Sequence, residues 1–239
     1  MVDLLMRDAG TENVPIGNGS KNEVRNLTTA TRRIIGIDPG LRVTGYGVLE
    51  WQAPSQSAPG QSAPGQSASS QADVSELLGK STSRLSPPLA LGRAARNQVR
   101  IVEAGVIRVA SGQSMELRLR ELKKSLDEIL AECQPTVMAV EQLYAHYERT
   151  QPAILMGHAR GVILLAAAEQ GIPVTSYSAT SVKKTISGHG RAPKEQMQAA
   201  VCHHLGLKQA PEPHDVADAL AIALCHLFSE QIANVFKRT

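Results

Sequence analysis

Three apolar stretches of this chain carry carboxylates at their ends. Asp38 closes Arg33-Ile34-Ile35-Gly36-Ile37, and Glu141 closes Val137-Met138-Ala139-Val140. Asp215 and Asp218 open the helical stretch that runs on through Ala219-Leu220-Ala221-Ile222-Ala223-Leu224. A carboxylate in a hydrophobic element is costly unless it is paired or bound to a cation. Singly, each has an ordinary explanation. Asp38, before Pro39-Gly40, reads as a turn aspartate. Glu141 reads as a strand-end glutamate paired with a lysine, and Asp215 and Asp218 as helix-start acids favoured by the dipole. Together, at the ends of elements far apart in sequence, they point to one shared cationic partner.

The elements around them set the fold class. Arg33–Asp38 and Val43–Trp51 read as two strands of a hairpin broken by Pro39-Gly40. Val99–Val109 is a third strand. Met115, Leu119, Leu122, Leu126, Ile129, Leu130 and Cys133 recur at helical spacing, with Ser114 placed to cap the start and Pro135 just past the end. Thr136–Glu141 has the continuous apolarity of a buried parallel strand. A helix over 152–170 with Gly171 at its end, a fifth strand over Ile172–Tyr177, a polar loop, a helix near 193–205 and a last helix over about 213–228 follow. This order predicts an α/β fold with a mixed five-stranded sheet and helices on both faces. Residues 1–31 are polar and aperiodic, and read as a disordered extension. Residues 53–97 begin with two copies of Gln-Ser-Ala-Pro-Gly and a degenerate third, and carry several arginines. That composition cannot bury enough apolar surface to order itself, so 53–97 reads as a flexible insertion in the domain over 32–230. It is either a solvated linker or a basic segment that brushes DNA. Residues 231–239 read as a tail.

In a parallel sheet the carboxyl ends of the strands gather at one edge, where sites are built. Asp38 and Glu141 would share that edge, and the helix start bearing Asp215 and Asp218 can be brought to it. Four carboxylates converging there would repel unless protonated or bridged by cations. Oxygen donors at this count suit Mg²⁺ or Mn²⁺, and two such ions can clamp the attacking and leaving oxygens of a phosphoryl transfer. Zinc fits poorly, because His203, His204 and His226 lack a matching ligand spacing; the adjacent pair reads as helix-surface residues. His214, beside Asp215, could touch a substrate phosphate, but reads as an exposed helix-start residue and a bystander. Lys183, Lys184, Arg191 and Lys194 read as a basic loop around Ser187-Gly188-His189-Gly190, suited to neutralising phosphate.

A net charge of +3 permits a polyanionic partner without requiring one. Cys133, Cys202 and Cys225 form no C-x-x-C pair and read as reduced, buried thiols. No apolar run reaches about 18 residues, so the expectation is a cytoplasmic protein without a membrane span.

The motifs resemble a known family. The run Arg33 to Val48 (RIIGIDPGLRVTGYGV), Ala139-Val140-Glu141-Gln142-Leu143-Tyr144, Gly157-His158-Ala159-Arg160-Gly161, and Asp215-Val216-Ala217-Asp218-Ala219-Leu220-Ala221-Ile222-Ala223 resemble, in order, the RuvC family of Holliday junction resolvases. The resemblance covers about 33–51 and 99–228. It implies an RNase H-like fold and a homodimer that nicks two strands of a four-way DNA junction symmetrically, in recombination and repair. It implies two Mg²⁺ ions per subunit, with Mn²⁺ able to substitute, held by Asp38, Glu141, Asp215 and Asp218 as catalytic acids. It also implies base stacking by Tyr144, DNA-backbone contacts from Lys183 and Lys194, and a branch-migration helicase as partner. Small residues on the 152–170 helix (Gly157, Gly161, Ala168) fit either core packing or the dimer contact. The extension 1–31 and the insertion 53–97 depart from the family pattern, and neither removes a catalytic position. The rival classes are an idle junction-binding protein, an actin-like ATPase, for which one lobe leaves too little chain, and a different RNase H-like nuclease.

Overall fold

A computed structural model describes residues 31–52, 99–143 and 150–236. The regions 1–30 and 53–98, and Tyr144, lie outside the described residues. Five strands form one sheet in the order β3-β2-β1-β4-β5: β1 (Thr31–Asp38), β2 (Val43–Gln52), β3 (Val99–Arg108), β4 (Val137–Glu141) and β5 (Val174–Tyr177). The meander β1-β2-β3 is antiparallel, whereas β4 runs parallel to β1 and β5 parallel to β4. The helices are α1 (Met115–Cys133), α2 (Thr150–Glu169), α3 (Ala179–Ser187), α4 (Lys194–Leu205) and α5 (His214–Phe236). The mixed sheet expected from the sequence is therefore present, with helices on both faces.

Alternation along β1 sorts the core into two layers. Ile35 and Ile37 pack with Leu122, Leu126 and Leu130 of α1 and Ala159, Ile163 and Ala166 of α2. Ile34 faces the other way, toward Val182 and Ile186 of α3, Val201 of α4 and Leu220, Leu224 and Phe228 of α5. Helix α5 lies directly on the sheet because the strands beneath it carry no side chains at three points. A Cβ on Gly36 would run into the Ala219 carbonyl and come 2.7 Å from the Ala223 nitrogen. One on Gly45 would strike the Asp215 carbonyl, and one on Gly47 would sit 2.7 Å from Leu220 Cδ2. These glycines fix the height of α5 over β1 and β2, and so the position of its amino-terminal turn.

Several boundaries differ from expectation. The polar segment after β5 is not a loop but α3, capped by Ser178, whose Oγ accepts from Ser181 N at 3.1 Å, and ended by Gly188 at φ 79°. Its two buried anchors, Val182 and Ile186, are one turn apart. Strand β5 starts at Val174, since Pro173 offers no N–H to the ladder. Ser114 occupies the N-cap of α1 without a capping bond from its side chain. Helix α5 continues past Phe228 to Phe236, into the segment expected to be a tail. Glu230 on that added turn pairs with Arg32 (3.3 Å) and His226 (3.5 Å), and His226 meets the Tyr177 hydroxyl at 2.9 Å. The stretch His214–Ala233 is long and apolar enough to cross a membrane, but 67% of it is buried inside this domain. Cys202 is only half-buried, unlike Cys133 and Cys225. His204, expected on a helix surface, is buried, with Nε2 2.9 Å from the Ile186 carbonyl and its ring edge-on to Phe228.

Candidate active site

Asp38 and Glu141 are brought together by strand register. The β1–β4 ladder ends with Ile37 opposite Val140, and both acids lie one residue further on. Neighbouring strands run about 4.8 Å apart. Alternation then points both side chains to the face covered by α5, since Ile37 and Val140 belong to the opposite layer. The turn after Asp38 is closed by Thr44, which is fully buried and donates to the Gly40 carbonyl at 2.6 Å.

Asp215 and Asp218 lie in the first turns of α5, three residues apart and so on one side of it. The Gly45–Asp215 backbone contact sets that turn against the start of β2, and Gly45 pairs with Asp38 across the hairpin. Three chain segments separated by about a hundred and by more than seventy residues thus place four half-buried carboxylates at one edge.

The electrostatics show that these groups feel one another. Burial pushes the Asp38 carboxyl up to about 7, and the charges of Glu141, Asp218 and Asp215 push in the same direction, while Lys194 opposes them. Glu141 is raised by burial and by Asp218, against Lys183. Asp218 is raised by burial; Lys194, His214 and Lys183 oppose that shift, and Asp215 adds to it. Lys183 and Lys194, singled out in the sequence, therefore stand close enough to act on the acids. They do not sit in a loop as expected: Lys183 and Lys184 are on α3, Lys194 opens α4, and only Arg191 lies between the helices.

Two further residues belong to the neighbourhood. Arg160 of α2 reaches across the end of the sheet, donating from Nε to the Glu141 carbonyl (3.3 Å) and from a terminal nitrogen to Ser176 Oγ (2.7 Å). It ties the ends of β4 and β5 behind Glu141. The sequence offered only its place in the Gly157–Gly161 block. His214, at the start of α5, is 2.6 Å from Gln198 of α4 through Nδ1.

Among the described residues, no three His, Cys, Asp or Glu side chains are gathered into a ready-made metal cluster. The donor set nevertheless fits hard cations. It is all carboxylate oxygen, it is partly desolvated, and its mutual repulsion is what bound positive charge would relieve. Mg²⁺ usually takes one or two carboxylates and keeps several waters, so it does not require three protein ligands in one cluster. Zinc has no comparable nitrogen or sulfur set here.

A 3-2-1-4-5 mixed sheet with helices on both faces and acids at the carboxyl edge of β1 and β4 defines an RNase H-like α/β protein. The family model described as crossover junction endodeoxyribonuclease RuvC matches residues 86–226, which include Glu141, Asp215 and Asp218 and begin after Asp38. Over 192 residues the chain is 43% identical to the crossover junction endodeoxyribonuclease RuvC of Rhodopirellula baltica, covering 80% of this chain and 84% of that one. It is 32% identical to the RuvC of Alkaliphilus metalliredigens over 204 residues, 85% of this chain and 98% of that one. Thermus thermophilus RuvC in complex with a Holliday junction substrate superposes with a TM-score of 0.61 at 28% identity, over 84% of this chain and 96% of that one. The chain belongs to the RuvC family of crossover junction endodeoxyribonucleases.

Proposed function

We propose that this protein resolves four-way DNA junctions by paired, symmetric phosphodiester nicks, with Asp38, Glu141, Asp215 and Asp218 as its catalytic acids. The observation that carries this is the convergence of the four carboxylates, felt most at Asp38, whose carboxyl three other acids help to push up to about 7. A protein that only bound DNA would gain nothing from concentrating negative charge where phosphate must come. The Thermus thermophilus relative, solved with a Holliday junction substrate, supports the choice of DNA.

The four carboxylates would hold two divalent cations, Mg²⁺ with Mn²⁺ as substitute. When bound, such ions supply a water of lowered pKa and positive charge against the phosphoryl oxygens. The protein's own part is to hold and orient. β1 and β4 fix Asp38 and Glu141 by register, α5 sets Asp215 and Asp218 over them, and Arg160 steadies the Glu141 backbone. Lys183 and Lys194 hold DNA phosphates at the rim, and Tyr144 stacks on a base near the junction centre. In-line attack leaves 5′-phosphate and 3′-hydroxyl ends.

A two-fold junction calls for two sites, hence a homodimer. Helix α2 supplies a surface for it. Its inward side is Ala159, Ile163, Ala166 and Ala167, whereas Ile154 (51% exposed) and Leu165 (52%) face outward with Gly157, Gly161 and Ala168. Leu165→Glu is expected to leave a folded monomer in sedimentation that no longer makes paired nicks. A branch-migration helicase as partner and a cytoplasmic site of action complete the proposal.

The test is a synthetic four-way junction with Mg²⁺, cut by wild type and bound but not cut by Asp38→Asn. Equal cutting by both, or degradation of linear duplex or of an RNA–DNA hybrid in preference to the junction, would refute it.

A further inference from the structure

We propose that His214 is a working part of this site: its Nε2–H, aimed by Gln198, donates a hydrogen bond to a phosphate oxygen of the strand being cut. The proposal rests on the nuclease function above and adds a residue to it.

His214 opens α5, and Asp218 lies four residues on, so the two share a helix face. His214 is among the groups that act on Asp218. On α4, Lys194 and Gln198 are likewise four apart, and Lys194 acts on both Asp38 and Asp218. Two helix faces therefore meet beside the acids, one bearing Lys194 and Gln198, the other His214 and Asp218. The join between them is the 2.6 Å contact from Gln198 Nε2 to His214 Nδ1.

That contact orients the ring. An amide nitrogen donates and does not accept. Nδ1 must then be the acceptor, which places the ring proton on Nε2. Nε2 then lies on the side away from Gln198 with its hydrogen facing outward, at an exposed residue. A phosphate entering between Lys194 and Asp218 meets it there. In a site built from carboxylates a ring N–H has a distinct use: it adds a hydrogen-bond donor for a phosphoryl oxygen where the acids offer only acceptors. Such donors act where charge develops in the transition state. If the pair merely docked α4 onto α5, its loss would lower stability and leave the rate of the surviving folded protein alone.

The experiment is single-turnover cleavage of a synthetic four-way junction with Mg²⁺, with the junction Kd measured in Ca²⁺ and a Tm for each variant. His214→Ala is expected to cut about 10–100-fold more slowly, with Kd within about threefold of wild type. His214→Gln, whose amide nitrogen reaches toward the same place, is expected to recover most of the rate. Gln198→Ala is expected to slow wild type but to add nothing in the His214→Ala background, since its effect passes through the ring. The proposal is overturned if His214→Ala cuts at the wild-type rate, if the rate losses follow Tm or Kd, or if the two substitutions simply add. A wild type that leaves the junction intact overturns the nuclease function itself, an outcome distinct from any of these.

Discussion

Two carboxylates on this sheet make opposite use of their surroundings. Glu50, near the end of β2, is bracketed by guanidiniums from its cross-strand partners, Arg33 at 2.9 Å and Arg100 at 2.7 Å. Bonds to Arg100 and Arg33 hold its carboxyl below the usual range. Asp38, at the other end of β1, is raised to about 7 by burial and by three acids, with Lys194 as the opposing charge. Glu50 has its partners built in and serves the fold. Asp38 lacks enough of them and is held in a costly state by the structure around it. A carboxylate left in that state is what the proposed cations would relieve.

The contrast can be broken in several ways. The largest effect is expected at the acid end: Asp218→Asn should slow junction cleavage by at least about 10²–10³-fold, the scale of losing one electrostatic anchor, with junction binding in Ca²⁺ retained. Next, Gly36→Val should cost about 3 kcal/mol and abolish cleavage, because its Cβ meets backbone of α5 and the whole helix must lift; denaturant unfolding reads the first effect, the junction assay the second. Glu50→Gln should cost about 1–3 kcal/mol at neutral pH by weakening the paired bonds that the buried Glu50 carboxylate makes to Arg33 and Arg100, yet the folded variant should cut at nearly the wild-type rate.

The pH dependence should have opposite signs at the two ends. Asp38 has a folded pKa of about 7 against 3.8, so its contribution is fully present below 3.8 and is lost as pH rises through about 7. Glu50 is lowered, so its contribution is present above the unfolded value and is lost as pH falls through the folded one. Without divalent cation, Asp38→Asn should therefore raise Tm at pH 8 and change it little at pH 4, whereas Glu50→Gln should lower it at pH 8. Thermal scans with and without Mg²⁺ check this, and added Mg²⁺ should narrow the gap between wild type and Asp38→Asn. The smallest effect is expected from replacing 53–97 with a short turn. Gln52 and Val99 lie at the end of the sheet opposite Asp38, about 25 Å away at some 3.4 Å per residue, so cleavage rate and Tm should stay within about twofold and a few degrees.

Much of the fold was legible because its strands are short apolar runs with sharp ends, and the same ends carry the acids. Period-2 and period-3.6 patterns survive wherever one face is buried, as in α1. What failed had weak periodicity. Helix α3 buries only Val182 and Ile186 in nine residues, and its lysines and serines read as loop. Ser178 before it and Gly188 after it were the available signals. The last turns of α5 were hidden because Ser229, Glu230 and Gln231 look like a stop, while their reason to stay helical is a partner, Arg32, about two hundred residues away. Arg160 and Gln198 could not be found by pattern at all. Each acts through hydrogen bonds to residues whose proximity exists only after folding.

The register that sets Asp38 beside Glu141 has a further consequence. A slip of one residue between β1 and β4 would turn Glu141 to the far face and put Val140 in its place. These strands are about a hundred residues apart, so their pairing is a late and demanding event in folding. A copy of the protein caught in the wrong pairing is then a dead nuclease, not a careless one. For an enzyme that cuts DNA, the geometry makes correct assembly the safety catch.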